Sequence, residues 1–410
     1  MKTLIRRQPA VIWALALACV ASFMGIGLVD PILPSLAEKL AATPTQSEWL
    51  FTTYLALTGA IMFFTSWVSS RIGTKKTLLI GLSLIVVFAL SCALAPSVNA
   101  IIGFRAGWGV GNALFISTAL AAMVSAAAGG SAGAIVLYET ALGVGFAIGP
   151  LTGGLLGAIS WRAPFLGTTT LMVVALVAIA VLLHSGHNVH PAPVRLSAPF
   201  KALKDKGMGT ISLSAFFYNM AFFTTLAFPP FALARLGVAD AVTIGLVFFG
   251  WGGLLAISAV LVAPRLTRAF RRTSILIGAE IGLAAVLLAC AVVVDSAVGI
   301  MTCVILAGVP LGLLNTVLTE VSMEASDLPR PVASSTYSGC RFLGGAIAPP
   351  LCTFLATATH VWVPFVYGAS MILVSCAIIV WRRGALWRAD VVDDAVPGTD
   401  SDTAFGAALA

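Results

Sequence analysis

Along the chain, apolar stretches of about twenty residues alternate with short breaks rich in charge, proline and glycine. About twenty apolar residues in helical conformation span the hydrocarbon core of a bilayer. The pattern therefore predicts membrane-crossing helices over 10–32, 47–69, 77–95, 98–126, 131–157, 163–184, 209–234, 240–264, 274–294, 296–325, 332–357 and 360–381. The expected fold class is an all-α polytopic membrane protein with twelve transmembrane helices, numbered 1 to 12 below. Lys2, Arg6 and Arg7 precede the first stretch as they do in a signal peptide. The stretch is too long for one and has no convincing cleavage site, so it is expected to remain as helix 1.

The polar breaks carry a strong bias. Of 23 Lys and Arg, 18 fall on the side that holds the N-terminus and the even-numbered loops. Lys39, Arg162 and Arg235 fall on the other side, and Arg105 and Arg341 lie inside spans. The positive-inside rule then places both termini in the cytoplasm. Composition agrees with the pattern: 59% of the 410 residues are hydrophobic, 10% are charged, and the mean hydropathy is +1.03. A net charge of +7 on such a chain reports topology and attraction to anionic headgroups, with the lipid bilayer and not nucleic acid as the partner.

Several chemistries are not expected. The seven cysteines all fall within spans without a CxxC pair, so neither a disulfide framework nor a metal site is anticipated. His184, His187 and His190 sit close together in a proline-rich break and read as solvated. No nucleotide loop, Ser/His/Asp arrangement or metal-ligand spacing suggests an enzyme.

The chain divides near its middle. Residues 185–207 hold histidines, prolines and four cations, and read as a cytoplasmic linker between a six-helix bundle at 1–184 and another at 208–382. Within the linker, Phe200 to Lys204 suggests a short amphipathic helix on the membrane surface. Residues 383–410, with five aspartates among small residues, read as a disordered cytoplasmic tail that is dispensable beyond Arg388. A weak internal repeat supports the division. Ala106 to Gly111 echoes Ala307 to Gly312 at an offset of 201, and Val144 to Leu151 echoes Leu343 to Pro350 at an offset of 199. Two related halves are one way to build a rocking transporter with a site near the midplane.

Charges within spans are costly and point to function. With a rise of 1.5 Å per residue, Asp30 and Arg105 both fall in the outer half of the membrane. One reading makes Asp30 a proton carrier tuned by Arg105; the other makes Asp30 a helix cap in water beside Pro31. Glu139 in helix 5 and Arg341 in helix 11 lie at comparable depth near the midplane. Either they form a functional pair that binds protons or cationic substrate, or they are a structural ion pair between the halves. Glu320 and Glu324 share one face of helix 10 and read as a gate or a solvated helix end. Glu280 is expected to snorkel toward Arg271 and Arg272.

The most unusual stretch is Gly145 to Gly154 in helix 5, where Gly145, Gly149, Pro150, Gly153 and Gly154 interrupt an apolar span. Glycine and proline both cost helix stability, so such a cluster marks close helix approach or a bend. This block resembles the Gly-x-x-x-Gly-Pro-x-x-Gly-Gly antiporter signature of the major facilitator superfamily, within it the twelve-helix drug:proton antiporters of the multidrug-resistance type. Asp30 to Pro34 is similar to the family's helix 1 block, and Arg105 with Gly107, Gly109 and Gly111 to its helix 4 block. Arg71, Gly73 and Lys75 match its loop between helices 2 and 3. Ser70 stands where that loop carries an aspartate, and Trp108 where helix 4 commonly has glutamine.

The resemblance implies two pseudo-symmetric six-helix bundles, with helices 1, 4, 7 and 10 facing a cavity. That places Asn112, Phe217, Tyr218, Asn219 and Asn315 as candidate substrate contacts, with Tyr138 nearby. Proton coupling is assigned to Asp30, Glu139, Arg105 and Arg341. Aromatics with a few amides and carboxylates suit lipophilic or amphipathic small molecules, cations among them. The implied function is proton-coupled efflux by alternating access, including antibiotic resistance, from a monomer in the cell (inner) membrane. It needs no cofactor, since the proton gradient supplies the energy. The alternative is a proton-coupled uptake symporter for a small metabolite, which would bring more polar cavity residues.

Overall fold

The computed structural model describes residues 10–29, 36, 39–126, 131–183 and 193–390. Apolar runs fold as helices because a backbone in hydrocarbon must satisfy its own polar groups. The first six are α1 Ala10–Gly27, α2 Pro44–Ile72, α3 Thr74–Leu94, α4 Val98–Ala126, α5 Ser131–Ile159 and α6 Ala163–Leu182. After them come α7 Lys206–Ala227, α8 Ala241–Ile257, α9 Arg272–Val292, α10 Ala297–Glu324, α11 Arg330–Ala358 and α12 Val363–Trp381. Eleven described spans are long and apolar enough to cross a membrane, and Val11–Gly27 within α1 is a shorter apolar helix. No strand occurs among the described residues.

Polar breaks supply the caps. Thr43 and Gln46 form a reciprocal capping box at α2, and Asp205 accepts the Met208 N–H at 2.9 Å to start α7. Gly73 turns α2 into α3 at φ 88°, a left-handed value that favours glycine. Two predicted spans differ from the simple run. Helix 7 stops at Phe228, and Pro229-Pro230 open a separate short helix, Pro229–Arg235, because proline cannot donate into the preceding turn. Helix 8 passes through a π-helical turn, Ser258–Val262, into Ala263–Ala269, where Pro264 likewise lacks the N–H an α-helical ladder needs.

The packing repeats twice. In the first bundle α1 packs on α5 and α6, α3 on α4 and α6, and α2 on α4. In the second α7 packs on α11 and α12, α9 on α10 and α12, and α8 on α10. The bundles join along α5 with α8 and along α2 with α11. Glycines at corresponding positions of the internal repeat face different partners: Gly107 and Gly111 lie against Phe88 and Gly81 of α3, whereas Gly308 and Gly312 face α8, as Gly109 faces α2. A methyl on Gly109 would meet the Tyr54 carbonyl of α2 at 2.6 Å, and methyls on Gly308 and Gly312 would meet the Trp251 and Leu255 carbonyls of α8. The all-α fold of two pseudo-symmetric six-helix bundles is therefore as the sequence implied.

Linker and tail depart from expectation. Helix Ala198–Ala202 does not simply lie on a membrane surface: Phe200 stacks on Phe63 with ring centroids 5.3 Å apart and meets Phe64 at 6.0 Å. The Val194 N–H donates to Ser70 Oγ at 3.2 Å, so the serine anchors the linker without a charge. Arg383–Asp390 is not disordered but forms a docked 3-10 helix. Asp390 accepts the Thr273 N–H at 2.9 Å and its hydroxyl at 2.6 Å, and Arg272 donates to the Ala389 carbonyl at 2.7 Å. The first turn of α9 needs acceptors for its free N–H groups, and Asp390 provides one from 117 residues away. His184, His187, His190 and residues 391–410 lie outside the described residues.

Candidate functional site

The glycine block of α5 presents a four-residue repeat to α1. A methyl on Gly145 would lie 2.8 Å from the Val20 carbonyl and one on Gly149 2.8 Å from the Met24 carbonyl, while one on Gly153 would strike the Leu28 carbonyl. Pro150, between them, fills the space left by Gly27. Gly154 turns to α8, where a methyl would lie 2.6 Å from the Ala241 carbonyl. Gly245 and Gly252 of α8 return the contact, against Leu151 and Ala147. The block is thus the place where α5 touches its own bundle and the other bundle at backbone distance.

Toward the start of α5, Glu139 is fully buried and reaches across the bundle interface. Its Oε1 accepts the Thr319 hydroxyl of α10 at 2.7 Å, and Thr319 Oγ1 lies 3.4 Å from the Tyr337 hydroxyl of α11. Its Oε2 has no hydrogen-bond partner among the described residues. The expected ion pair with Arg341 is not formed among the described residues. The amides take the guanidinium instead: Arg341 Nε donates to Asn219 Oδ1 at 3.3 Å, and its Nη2 donates to Asn315 Oδ1. Asn219 Nδ2 donates to the Arg341 carbonyl at 2.6 Å, and the Tyr218 hydroxyl donates to Asn315 Oδ1 at 2.7 Å. Arginine has five donors and no acceptor, so neutral amide oxygens suffice to seat it.

Rings from both bundles cover this polar layer. Phe146 meets Phe23 at 5.8 Å, Phe222 at 5.6 Å and Trp251 at 6.0 Å, and Phe23 meets Tyr138 edge-on at 5.7 Å. Tyr138, Phe146, Asn219, Phe222, Tyr337 and Arg341 are among the residues lining a cavity of about 10 Å³. That is room for about one water molecule. Contacts between the bundles continue to both ends. At the basic end Arg330 donates to the Val124 carbonyl at 2.6 Å and Ser334 to the Ser117 carbonyl at 2.9 Å, and at the other Gly154 meets Ala241. Among the described residues the two bundles thus meet on both sides of this cavity.

Other candidates sit elsewhere. Asn112 does not line this cavity but accepts the Ser22 hydroxyl at 2.8 Å, tying α4 to α1. Phe217 is half-buried, packs edge-on against Phe216 at 5.4 Å and is not part of the lining. Arg105 is buried, donates to the Leu50 carbonyl at 2.5 Å, and lies over the rings of Tyr54 at 4.9 Å, Trp108 at 5.4 Å and Phe51 at 5.8 Å. Trp108, standing at the family's glutamine position, thus serves as a cation–π wall. Asp30 lies outside the described residues. In the loop motif Arg71 is exposed and Lys75 donates to the Ala180 carbonyl at 3.2 Å. Glu280 does not snorkel: it turns inward, its Oε1 within hydrogen-bond distance of the Ser375 hydroxyl at 2.5 Å. Arg272 pairs instead with Glu320 and Glu324, each at 3.2 Å.

Thr319 and Tyr337 escaped the sequence reading. Each sits four residues from a candidate, Thr319 after Asn315 and Tyr337 before Arg341, so a polar i,i+4 pair in an apolar helix was the available signal. Among the described residues no cluster of three His, Cys, Asp or Glu is placed to hold a metal ion.

Comparison with known proteins bears on this geometry. Over 385 residues the chain is 46% identical to the Multidrug efflux protein YfmO of Bacillus subtilis, covering 93% of this chain and 95% of that protein. It is 28% identical over 158 residues to the Methylenomycin A resistance protein of Streptomyces coelicolor, 38% of this chain and 33% of that one. The structure of the human organic anion transporter MFSD10 (TETRAN) superposes with a TM-score of 0.77 at 14% identity, over 91% of this chain and 100% of that one, a likeness of fold alone. The profile of the Major Facilitator Superfamily matches residues 15–349. With two six-helix bundles around a midplane cavity, the chain belongs to the Major Facilitator Superfamily.

Proposed function

We propose that this protein exports lipophilic or amphipathic small molecules, cations among them, in exchange for protons by alternating access. One observation carries the reading: Glu139 is a buried carboxyl bonded across the bundle interface through one oxygen, beneath rings contributed by both bundles. An unpaired carboxylate inside a membrane protein costs several kcal/mol, and a proton or a cationic substrate removes that cost. Breaking the Thr319 contact as the bundles rock would hand Glu139 from one aqueous side to the other. The aromatic lining suits apolar and cationic compounds, and the likeness to an efflux protein supports the outward direction. By its depth in the sequence, Asp30 is assigned with Arg105 as a second coupling candidate. Both termini face the cytoplasm, the chain works as a monomer in the cell membrane, and the proton gradient is its energy source.

The test uses proteoliposomes with an internal pH-sensitive dye, an imposed pH gradient, and tetraphenylphosphonium beside a neutral lipophile. Proton movement opposite to substrate, lost in Glu139→Gln, is the expected result. Movement in the same direction as substrate would make the protein a symporter. Full coupling in Glu139→Gln with loss in Asp30→Asn would move the proton site to helix 1.

A further inference from the structure

The core of the second bundle holds a carboxyl that the cavity does not use. Glu280 on α9 is fully buried. Around it, Ser375 Oγ of α12 lies 2.5 Å from Glu280 Oε1, 2.7 Å from Ser214 Oγ of α7 and 3.1 Å from the Ser214 carbonyl oxygen. Three oxygen–oxygen contacts of this length call for three hydrogens, and each serine hydroxyl owns one. A proton on Glu280 Oε1 supplies the third. Glu280 then donates to Ser375, Ser375 to the Ser214 carbonyl, and the Ser214 hydroxyl back to Ser375. An ionised Glu280 leaves Ser375 a single hydrogen to share between the carboxylate and the Ser214 carbonyl.

The surroundings offer no counter-charge. Glu280 Oε2 has no hydrogen-bond partner among the described residues. From α12 the thiol of Cys376 faces the carboxyl, and from α7 the phenol of Tyr218. From α10 the acidic groups are Glu320 and Glu324, which are turned to Arg272 at the start of α9. Among the described residues, no Lys, Arg or His makes an ion pair with Glu280.

We propose that Glu280, with Ser375 and Ser214, is a second proton-binding site, separate from Glu139 and enclosed within the second bundle. It is tied to the cavity through α7. Ser214 lies one turn before Tyr218, and Tyr218 shares Asn315 with Arg341. Occupancy at Glu280 therefore sets the hydrogen-bond state of the turn that carries Tyr218, whose partner Asn315 helps seat Arg341. The proposal stands whichever residue couples transport and whatever compound is carried.

Infrared difference spectra of the whole protein in liposomes, wild type minus variant at neutral pH in H2O and D2O, test it. The expected result is a protonated-carboxyl carbonyl band that shifts on deuteration, is lost in Glu280→Gln and is kept in Glu139→Gln. Ser375→Ala provides a second route should Glu280→Gln fail to fold: freed from its acceptor, the same band moves to higher wavenumber. Absence of any such loss or shift, or appearance of a carboxylate band assigned to Glu280, overturns the proposal. A band lost in Glu139→Gln alone would also overturn it, while leaving the transport reading intact.

Discussion

Helices α5 and α11 hold equivalent places in the two bundles, yet their small residues do different work. On α5, Gly145, Gly149 and Gly153 lie against backbone of α1. On α11, Gly344 meets the Phe216 carbonyl, but Gly345 faces the Phe223 ring and the Asn219 amide, and Gly339 faces the Phe63 ring. Backbone cannot move aside without shifting a helix, whereas a ring or amide can change rotamer. The first bundle is therefore fixed along α1 and α5 as one body. Side chains wedged against α11 give the second bundle its adjustable face, the one that carries Asn219 and Arg341.

The largest effect expected from this contrast comes from adding a methyl to the α5 repeat. Gly149→Ala and Gly153→Ala should each destabilise by roughly 1–3 kcal/mol, the usual cost of overpacking a close contact. Thermal unfolding in detergent, followed by transport in proteoliposomes, reads both consequences, and loss of transport should accompany the lower Tm. Wild-type Tm and transport in both variants would mean that α1 and α5 slide against each other. Gly345→Ala tests the other face. Its methyl would lie 2.6 Å from the Phe223 ring and 2.9 Å from the Asn219 amide. Arg341 holds Asn219, so the Phe223 ring must give way, and a cost at the low end of the same range, about 1 kcal/mol, is expected, with a changed order of preference among lipophilic probes. A cost equal to that of Gly153→Ala would erase the distinction.

Much of this architecture was legible because its causes are local. Gly145, Gly149 and Gly153 repeat at helical spacing, and the depths of Glu139 and Arg341 follow from counting residues along an apolar run. Their partners were not legible, because those depend on how each helix is rotated about its axis. Equal depth suggested an ion pair, but Arg341 faces the amides of α7 and α10, and Glu139 finds a threonine. Hydropathy also carries Glu280 toward the nearest cations, and only the packing of α9 with α12 turns it inward. Pro229-Pro230 did announce the break in helix 7, yet a run of apolar residues passes over it.

The intermediate effect lies at the linker, where the first bundle holds its basic end by a neutral contact. Ser70→Ala removes the acceptor for the Val194 N–H and should cost about 0.5–1.5 kcal/mol, the net worth of one such hydrogen bond. Ser70→Asp restores an acceptor and the family's charge together, and should recover the loss. If Ser70→Asp is as unstable as Ser70→Ala in thermal unfolding, the contact depends on the hydroxyl itself.

The tail separates the two bundles on the smallest scale. The second bundle has its basic end clipped by a segment from beyond its last span, through Asp390 on Thr273, Ala389 on Arg272 and Arg383 on Ser274. Truncation after Asp390 keeps all three contacts and should leave Tm and transport unchanged. Truncation after Arg382 removes an N-terminal cap from α9 and should cost about 1 kcal/mol. That loss should appear as faster hydrogen exchange in the first turn of α9, with the amides of α3 unaffected, since α3 starts from Gly73 without a remote cap. Truncation after Arg388 falls between the two: Ala389 and Asp390 are gone while Arg388 still reaches Asp327, so the cap is lost and the ion pair survives. If the protection of α9 survives that cut, the Asp390 cap is not what holds the tail, and the link between Arg388 and Asp327 is.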